Sequence, residues 1–477
     1  MNLLLDLKIF GWLLVGLGIL ETLPIGVALA YGEPSLAYVT SAAAALIYGI
    51  PIAATVHVKE RRMRPRDGFL VVTGAWILAS VFGALPYYFT ESLGVVDAIF
   101  ESVAGFTTTG SSVLTNIEDA PKALLLWRSI TQWLGGMGII VFTIAVLPLI
   151  GIGGMQLFKA EVPGPVTDKL TPRIADTARQ LWYIYVGFTF CAFVALKLAG
   201  MGWYDAICHA LTTLSTGGFS TRSASIAGFD SAAIEWVVIA FMMVAGINFA
   251  LHFRLLGGQI RRVVHDRELH LYLGLIVSLT VVLSAVLWNA TGSSNSLRHA
   301  AFQVVSLLTT TGYVTDDYGA WPAFALFFVV PLMILGGMSG STSGGLKTLR
   351  VLLGLRALRT FVFRTSHPTA IRPVRYAGRA VPDDILNGVL IFFVAYLAIT
   401  LGGAGVVASA GYDIETSISV GLTAIGNIGP ALGDIGSSGD FHRMPDYVKL
   451  ALTFLMIAGR LELFTVLVLF EPHFWKR

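Results

Sequence analysis

Four short polar runs interrupt an otherwise apolar chain, and their residue types are those that present main-chain oxygen. They read Thr108-Thr109-Gly110-Ser111, Thr216-Gly217-Gly218-Phe219, Thr310-Thr311-Gly312-Tyr313 and Asn427-Ile428-Gly429-Pro430. A dehydrated cation needs oxygen ligands on all sides. Loops held extended, with their carbonyls turned to one axis, supply them. Glycine allows the backbone angles that turn consecutive carbonyls the same way. Thr and Ser add hydroxyls, and the absence of charged side chains leaves the lane open. One such run alone is ordinary turn chemistry. Four in register, each between two long apolar segments, read as four quarters of one cation filter.

The runs belong to a repeat. The first stretch is DAIFESVAGFTTTGSS from Asp97 and the second DAICHALTTLSTGGFS from Asp205, which align without gaps. The third, FQVVSLLTTTGYVT from Phe302, carries the same TTTG as the first; the fourth, SISVGLTAIGNIGPALG from Ser417, is the most divergent. Gly110, Gly218, Gly312 and Gly429 stand 108, 94 and 117 residues apart. Self-similarity in fixed order signals a repeat architecture. The apolar part of each unit, about 10 residues, is too short to cross a bilayer. It reads as a re-entrant helix, which needs a protein-lined or water-lined site. Asp97, Asp205 and Asp413 stand where N-caps are expected. Each helix then aims its partially negative C-terminus at the membrane centre, where a cation is favoured.

These runs must be held by membrane spans. The chain has 477 residues, a mean hydropathy of +0.74 and only 13% charged residues. Too little polar surface remains to coat a soluble core of that size. Ten segments are long enough to cross: 8–31, 36–58, 69–91, 122–151, 180–200, 231–256, 269–291, 320–350, 384–408 and 444–471. Basic residues gather in alternate connections: Lys59 to Arg66, Lys159 to Arg179, Arg254 to Arg267 and Lys347 to Arg379. The intervening loops carry acids such as Asp97, Glu118, Asp316 and Asp434. The positive-inside rule then puts the basic loops and both termini in the cytoplasm. The reading is an all-α polytopic membrane protein. It has a two-span N-terminal domain (1–66) and four pseudo-symmetric span–pore helix–filter loop–span repeats (67–158, 159–267, 268–379, 380–477) around one central pore. The first segment is long for a signal-peptide core and lacks a clear cleavage site, so it reads as a retained span. Cys191 and Cys208 suggest neither a disulfide framework nor a metal site. The histidines form no HExxH arrangement.

Several longer strings are distinctive. They include WLGGMGIIVF (133–142), GGMQLFKAEVPGP (153–165), KLTPRIADTA (169–178), STGGFS (215–220), GSTSGGLKTLR (340–350) and NIGPALG (427–433). With them the chain resembles, over nearly its whole length, the membrane subunit of the Trk/Ktr/HKT superfamily of potassium transporters, and within it the TrkH type. The resemblance implies potassium uptake across a bacterial inner membrane, through a homodimer whose pores are separate. Plant relatives with serine at the first filter glycine tend to carry Na+; glycine at all four positions implies K+. The K+ ligands would come from Thr108, Thr109, Gly110, Thr216, Gly217, Gly218, Thr310, Thr311, Gly312, Asn427, Ile428 and Gly429, with no other metal site. A TrkA-like cytosolic ring that binds NAD or ATP is implied as partner. This chain shows no GxGxxG after a soluble strand, so no cofactor is expected on it, and no nucleic acid. The basic 350–379 segment is a plausible docking surface for the ring. Whether K+ is coupled to H+ or Na+, or Na+ itself passes, is left open.

The eighth segment contains GGMSGSTSGG, residues 336–345. Five glycines and three serines in ten residues make a poor helix. They suit either an irregular intramembrane loop or close helix packing. The resemblance implies a gate beneath the filter, built from Gly336, Gly337, Ser339, Gly340, Ser341, Gly344 and Gly345. A phosphate-binding loop is excluded, because Leu346 separates Gly345 from Lys347. Arg460 lies well inside the last span, where a charge is costly and usually functional. The resemblance implies an electrostatic barrier at the gate. Arg128 reads as snorkelling or loop-bracing. Glu21 with Pro24 suggests a kink and a buried carboxyl, and Asn248 either lines a cavity or bonds another helix. A transporter with inverted repeats is a poorer match, since all four units run in one orientation. An intramembrane enzyme would need a nucleophile–base or metal constellation, and none stands out.

Overall fold

Apolar runs in lipid must satisfy their own backbone groups, so they fold as helices. The structure, a computed structural model, describes residues 2–58, 65–145, 170–370, 372–376, 379–437 and 439–476. The end of the fourth expected span, the string at 153–165, and Lys59, Arg61, Arg62, Arg64, Lys159 and Lys169 lie outside the described residues. Among the described residues, seven helices are long and apolar enough to cross a membrane, or up to nine if each bent pair is one span. Large apolar side chains such as Leu198, Val277 and Val394 stand exposed on them, as lipid-facing residues do.

The N-terminal pair is Leu3–Tyr31 and Leu36–Thr55. Gly11, Gly18 and Gly49 bring these two helices close; a Cβ on Gly49 would stand 2.9 Å from the Leu14 Cβ. The first helix breaks at Glu21, three residues before Pro24, and the Glu21 side chain is buried, as the sequence suggested.

The order long helix, short helix, loop, helix then occurs four times. The short helices are Val95–Phe106, Trp203–Leu214, Ser296–Leu308 and Ile414–Gly426, 12 or 13 residues each. Their apolar faces form the interior together with the spans around them. A two-residue ribbon, Arg375–Tyr376 against Arg379–Ala380, is the one strand pairing among the described residues.

Three expected spans are not continuous. The sixth bends by 95° between Ala232–Ala245 and Phe249–Leu256, because Asn248 caps the second piece through the Ala250 N–H at 2.8 Å. Asn248 is therefore a helix cap. The tenth bends by 111° after Asp446–Arg460, with Glu462 and Leu463 at positive φ. The eighth holds only the 12-residue helix Ala323–Ile334 before the chain leaves helical geometry, and Thr348–Ser366 begins beyond the loop. Hydropathy counts side chains and does not register where a backbone gives up its ladder.

Asp413 is the N-cap expected of it, accepting the Thr416 N–H at 2.9 Å. Asp97 and Asp205 are not N-caps: Gly94 and Gly202 hold those positions. Placed one turn inside, Asp97 instead pairs with Lys449 at 2.6 Å, and Asp205 accepts from the Thr221 hydroxyl at 2.6 Å.

Both termini sit at one end. Asn2 N–H meets Asp67 at 3.0 Å, and Arg66 donates to the Lys476 carbonyl at 2.8 Å. At another point of the fold, Glu33 caps the helix that starts at Lys122, accepting its N–H at 2.7 Å.

Candidate ion pathway

Each short helix ends in the same way. The chain turns left-handed at Thr108, Thr216, Thr310 and Asn427, with φ of 52°, 52°, 55° and 54°. Two residues on, Gly110, Gly218, Gly312 and Gly429 take φ of 82°, 81°, 78° and 104°. A β-branched residue at positive φ is a true outlier and persists only where its surroundings enforce it. Here the enforcing bonds recur. Thr109, Gly217, Thr311 and Ile428 each donate their N–H five residues back, to Ala104, Thr212, Ser306 and Thr423, at 2.9, 2.9, 2.8 and 3.1 Å. That is a helix-closing turn of Schellman type, and it is repeated in all four units.

The loops meet one another in a closed order. A Cβ built on Gly110 would run into the Gly217 carbonyl oxygen, one on Gly218 into that of Thr311, and one on Gly312 into that of Ile428. A Cβ on Gly429 would stand 2.7 Å from the Thr109 oxygen. First touches second, second third, third fourth, and fourth first. The expected ligand residues are thus brought together as one ring, with the carbonyls of Thr109, Gly217, Thr311 and Ile428 at its seams. Helix packing brings the loops this close. Gly135 and Gly459, on the spans after the first and fourth loops, lie against the carbonyls of Phe106 and Ile425, and neither position has room for a Cβ.

Sequence reading allowed a loop-bracing role for Arg128 but missed its partner Glu101, and together they hold the ring from outside. Glu101, on the first short helix, accepts from Arg128 at 2.8 Å, and both side chains are fully buried. Glu101 also takes the Val113 N–H at 2.9 Å, while Arg128 reaches the Ser112 hydroxyl at 3.1 Å and the Ser220 carbonyl at 3.2 Å. Arg128 therefore braces loops and does not snorkel. Removing one partner of a buried pair leaves a bare charge and typically costs about 3–5 kcal/mol. Glu101→Leu and Arg128→Met are each expected to lower the detergent melting temperature sharply. The double variant should recover part of that loss in a double-mutant cycle. Additive losses would argue against a coupled pair.

Beneath the ring runs the 336–345 segment, non-helical and largely buried. The Gly344 N–H donates to the Thr310 hydroxyl at 2.6 Å, tying it to the third of these loops. The Thr342 hydroxyl reaches the carbonyls of Leu214 and Ala245, each at 3.2 Å. Gly340 accepts from Phe249 N–H at 3.0 Å, and Met338 N–H donates to the Gly246 carbonyl at 2.9 Å, so the break in the sixth span feeds this loop. Ser339 N–H meets buried Glu268 at 2.7 Å. Gly336 and Gly337 run alongside Gly344 and Ser343, with no room for side chains. Ser341 turns back onto the Met338 carbonyl at 2.7 Å, and Gly345 has φ of 63°.

Arg460 is buried against this loop. It donates to the Thr342 carbonyl at 2.7 Å and the Gly135 carbonyl at 3.2 Å. Among the described residues no carboxylate pairs with it; Glu462, its sequence neighbour, pairs with Arg350. The arrangement sets a fixed positive charge and an irregular strap directly below a ring of main-chain oxygens.

Long apolar helices, with four short helices between them whose loops meet in a closed order, define a multi-spanning helical membrane protein. Comparison with known proteins narrows this. A family model described as TrkH, cation transport protein, matches residues 38–477. The Trk system potassium uptake protein TrkH of Halomonas elongata is 39% identical over 487 residues, covering 100% of both chains. The protein of the same name from Escherichia coli K12 is 41% identical over 426 residues, covering 88% of each. The crystal structure of the potassium transporter TrkH from Vibrio parahaemolyticus superposes with a TM-score of 0.92 at 34% identity, over 100% of both chains. The chain belongs to the TrkH family of cation transport proteins.

Proposed function

We propose that this chain takes up potassium through a channel-like pore whose filter is the ring around Gly110, Gly218, Gly312 and Gly429. The closed contact order of the four loops carries this reading. Four main-chain strands meeting at one axis can exchange their oxygens for the water around a cation. The C-termini of the short helices add negative potential at the same place. The repeats at 67–158, 159–267, 268–379 and 380–477 each supply one quarter. Segment 336–345, with Arg460, is the gate: its tie to Thr310 couples it to the filter, and it must move for an ion to leave.

The relatives named as potassium uptake proteins support K+ as the cargo. The same relatives belong to a Trk system, which supports a cytosolic partner. We assign it as a TrkA-like ring carrying NAD or ATP, docked on the basic Thr348–Ser366 helix and the ribbon after it, where Arg356 and Arg364 brace the carbonyls of Arg375 and Arg372. The protein is a homodimer in the bacterial inner membrane, with both termini cytoplasmic.

The test is growth and K+ uptake at low external K+ in a cell stripped of its own potassium uptake systems. Restored uptake that saturates with K+ is the expected result. Transport of Na+ without preference for K+ would overturn the assignment of cargo. Parallel recording of internal pH separates simple conduction from H+ coupling.

A further inference from the structure

Five glycines lie in the four filter runs, and only four of them need left-handed backbone. Gly217 does not: it is outside the positive-φ set that holds Gly110, Gly218, Gly312 and Gly429. Its counterparts are Thr109, Thr311 and Ile428, each with a side chain. The space a side chain would fill at Gly217 is taken by Gln132, whose Cδ, Oε1 and Nε2 are the nearest atoms to a Cβ built there. Gln132 comes from the Lys122–Ala145 span, part of a different repeat, and is fully buried.

Its amide clamps the second loop at two points. Nε2 donates to the Gly217 carbonyl at 2.6 Å, and Oε1 accepts the Phe219 N–H at 3.0 Å. The first and third loops brace this position locally. Thr107 and Thr109 share a hydroxyl contact at 2.7 Å, as do Thr309 and Thr311 at 2.7 Å. In the second loop Ser215 occupies the place of Thr107, but it turns to the Thr212 carbonyl at 3.1 Å, since Gly217 offers it no hydroxyl.

We infer that Gln132 is a selectivity-determining positioning residue, fixing the Gly217 carbonyl at one of the four seams of the filter. This rests on the ring being the filter. A carbonyl already accepting an amide N–H is both held in place and less available to a cation. Drawing it inward around Na+, which is smaller than K+, would break or stretch that bond; K+ is served where the carbonyl stands. The clamp thus adds a cost to contraction of the ring.

The experiment measures relative K+ and Na+ permeability in proteoliposomes containing the full chain. Gln132→Ala and the near-isosteric Gln132→Glu, which loses the amide donor, are expected to lower K+ over Na+ preference by about tenfold. Gly217→Thr added to Gln132→Ala should restore most of the preference, because the new hydroxyl can meet Ser215 as Thr109 meets Thr107. An unaltered ratio in either single variant overturns the inference. So does a lowered ratio that Gly217→Thr leaves unrepaired, which would mark Gln132 as packing alone. If Gln132→Ala does not accumulate, the ratio for Gln132→Glu decides. Gly110→Ser run alongside separates the two claims: if it too leaves the ratio unaltered, the ring is not the filter.

Discussion

Gly110→Ser is expected to lower the preference for K+ over Na+ by at least about tenfold while leaving a folded protein. Two observations set this size. The backbone at Gly110 is left-handed, at φ 82°, where an L side chain costs roughly 1–2 kcal/mol. The new Cβ would also collide with the Gly217 carbonyl oxygen. A carbonyl is part of a strand and cannot swing away as a flexible side chain does. The ring must therefore open at that seam, and the ion loses a well-placed ligand. A tenfold change in ratio needs only about 1.4 kcal/mol, which the displacement readily supplies. The four glycines should not respond equally. A Cβ on Gly429 would stand 2.7 Å from its neighbour's oxygen, the widest of the four approaches. Gly429→Ala is therefore expected to be milder than Gly218→Ala or Gly312→Ala. Paired K+ and Na+ uptake in the same cells measures both effects. Equal selectivity in all four variants and the parent would contradict them.

Arg460→Ala is expected to raise K+ flux by about tenfold or more. Two unit charges ~5 Å apart at an effective dielectric of ~20 repel by about 3 kcal/mol, so on the proposed pathway a fixed guanidinium below the ring would be a large barrier to a cation. Its hydrogen bond to the Thr342 carbonyl also tethers the strap, the proposed gate. Arg460→Gln separates these contributions, because its amide is neutral yet can still donate to Thr342. If both variants raise flux, charge dominates. If only Arg460→Ala does, the tether dominates. Unchanged flux in both would make Arg460 a structural residue only.

The parts of this site that were legible in the sequence are those encoded by residue type within a short window. The glycine runs stood out because Gly110, Gly218, Gly312 and Gly429 take left-handed backbone that favours glycine, and they recurred in order. The irregular 336–345 segment stood out because its composition cannot sustain a helix. What escaped was set by contacts between distant residues. Gln132 lies 85 residues from Gly217, and Glu101 lies 27 from Arg128; neither spacing leaves a local pattern. The bends at Asn248 and Glu462 were hidden inside stretches that remain apolar on average. Asp97 and Asp205 were placed one turn too early, since Gly94 and Gly202 begin those helices and the carboxylates serve Lys449 and Thr221 instead.

The most direct measurement is anomalous diffraction from crystals in which Rb+ or Tl+ replaces K+. A peak is predicted on the axis shared by the Thr109, Gly217, Thr311 and Ile428 carbonyls, weakened or lost in Gly110→Ser. Strong peaks elsewhere in the membrane region, with none at that seam in the parent protein, would contradict the account.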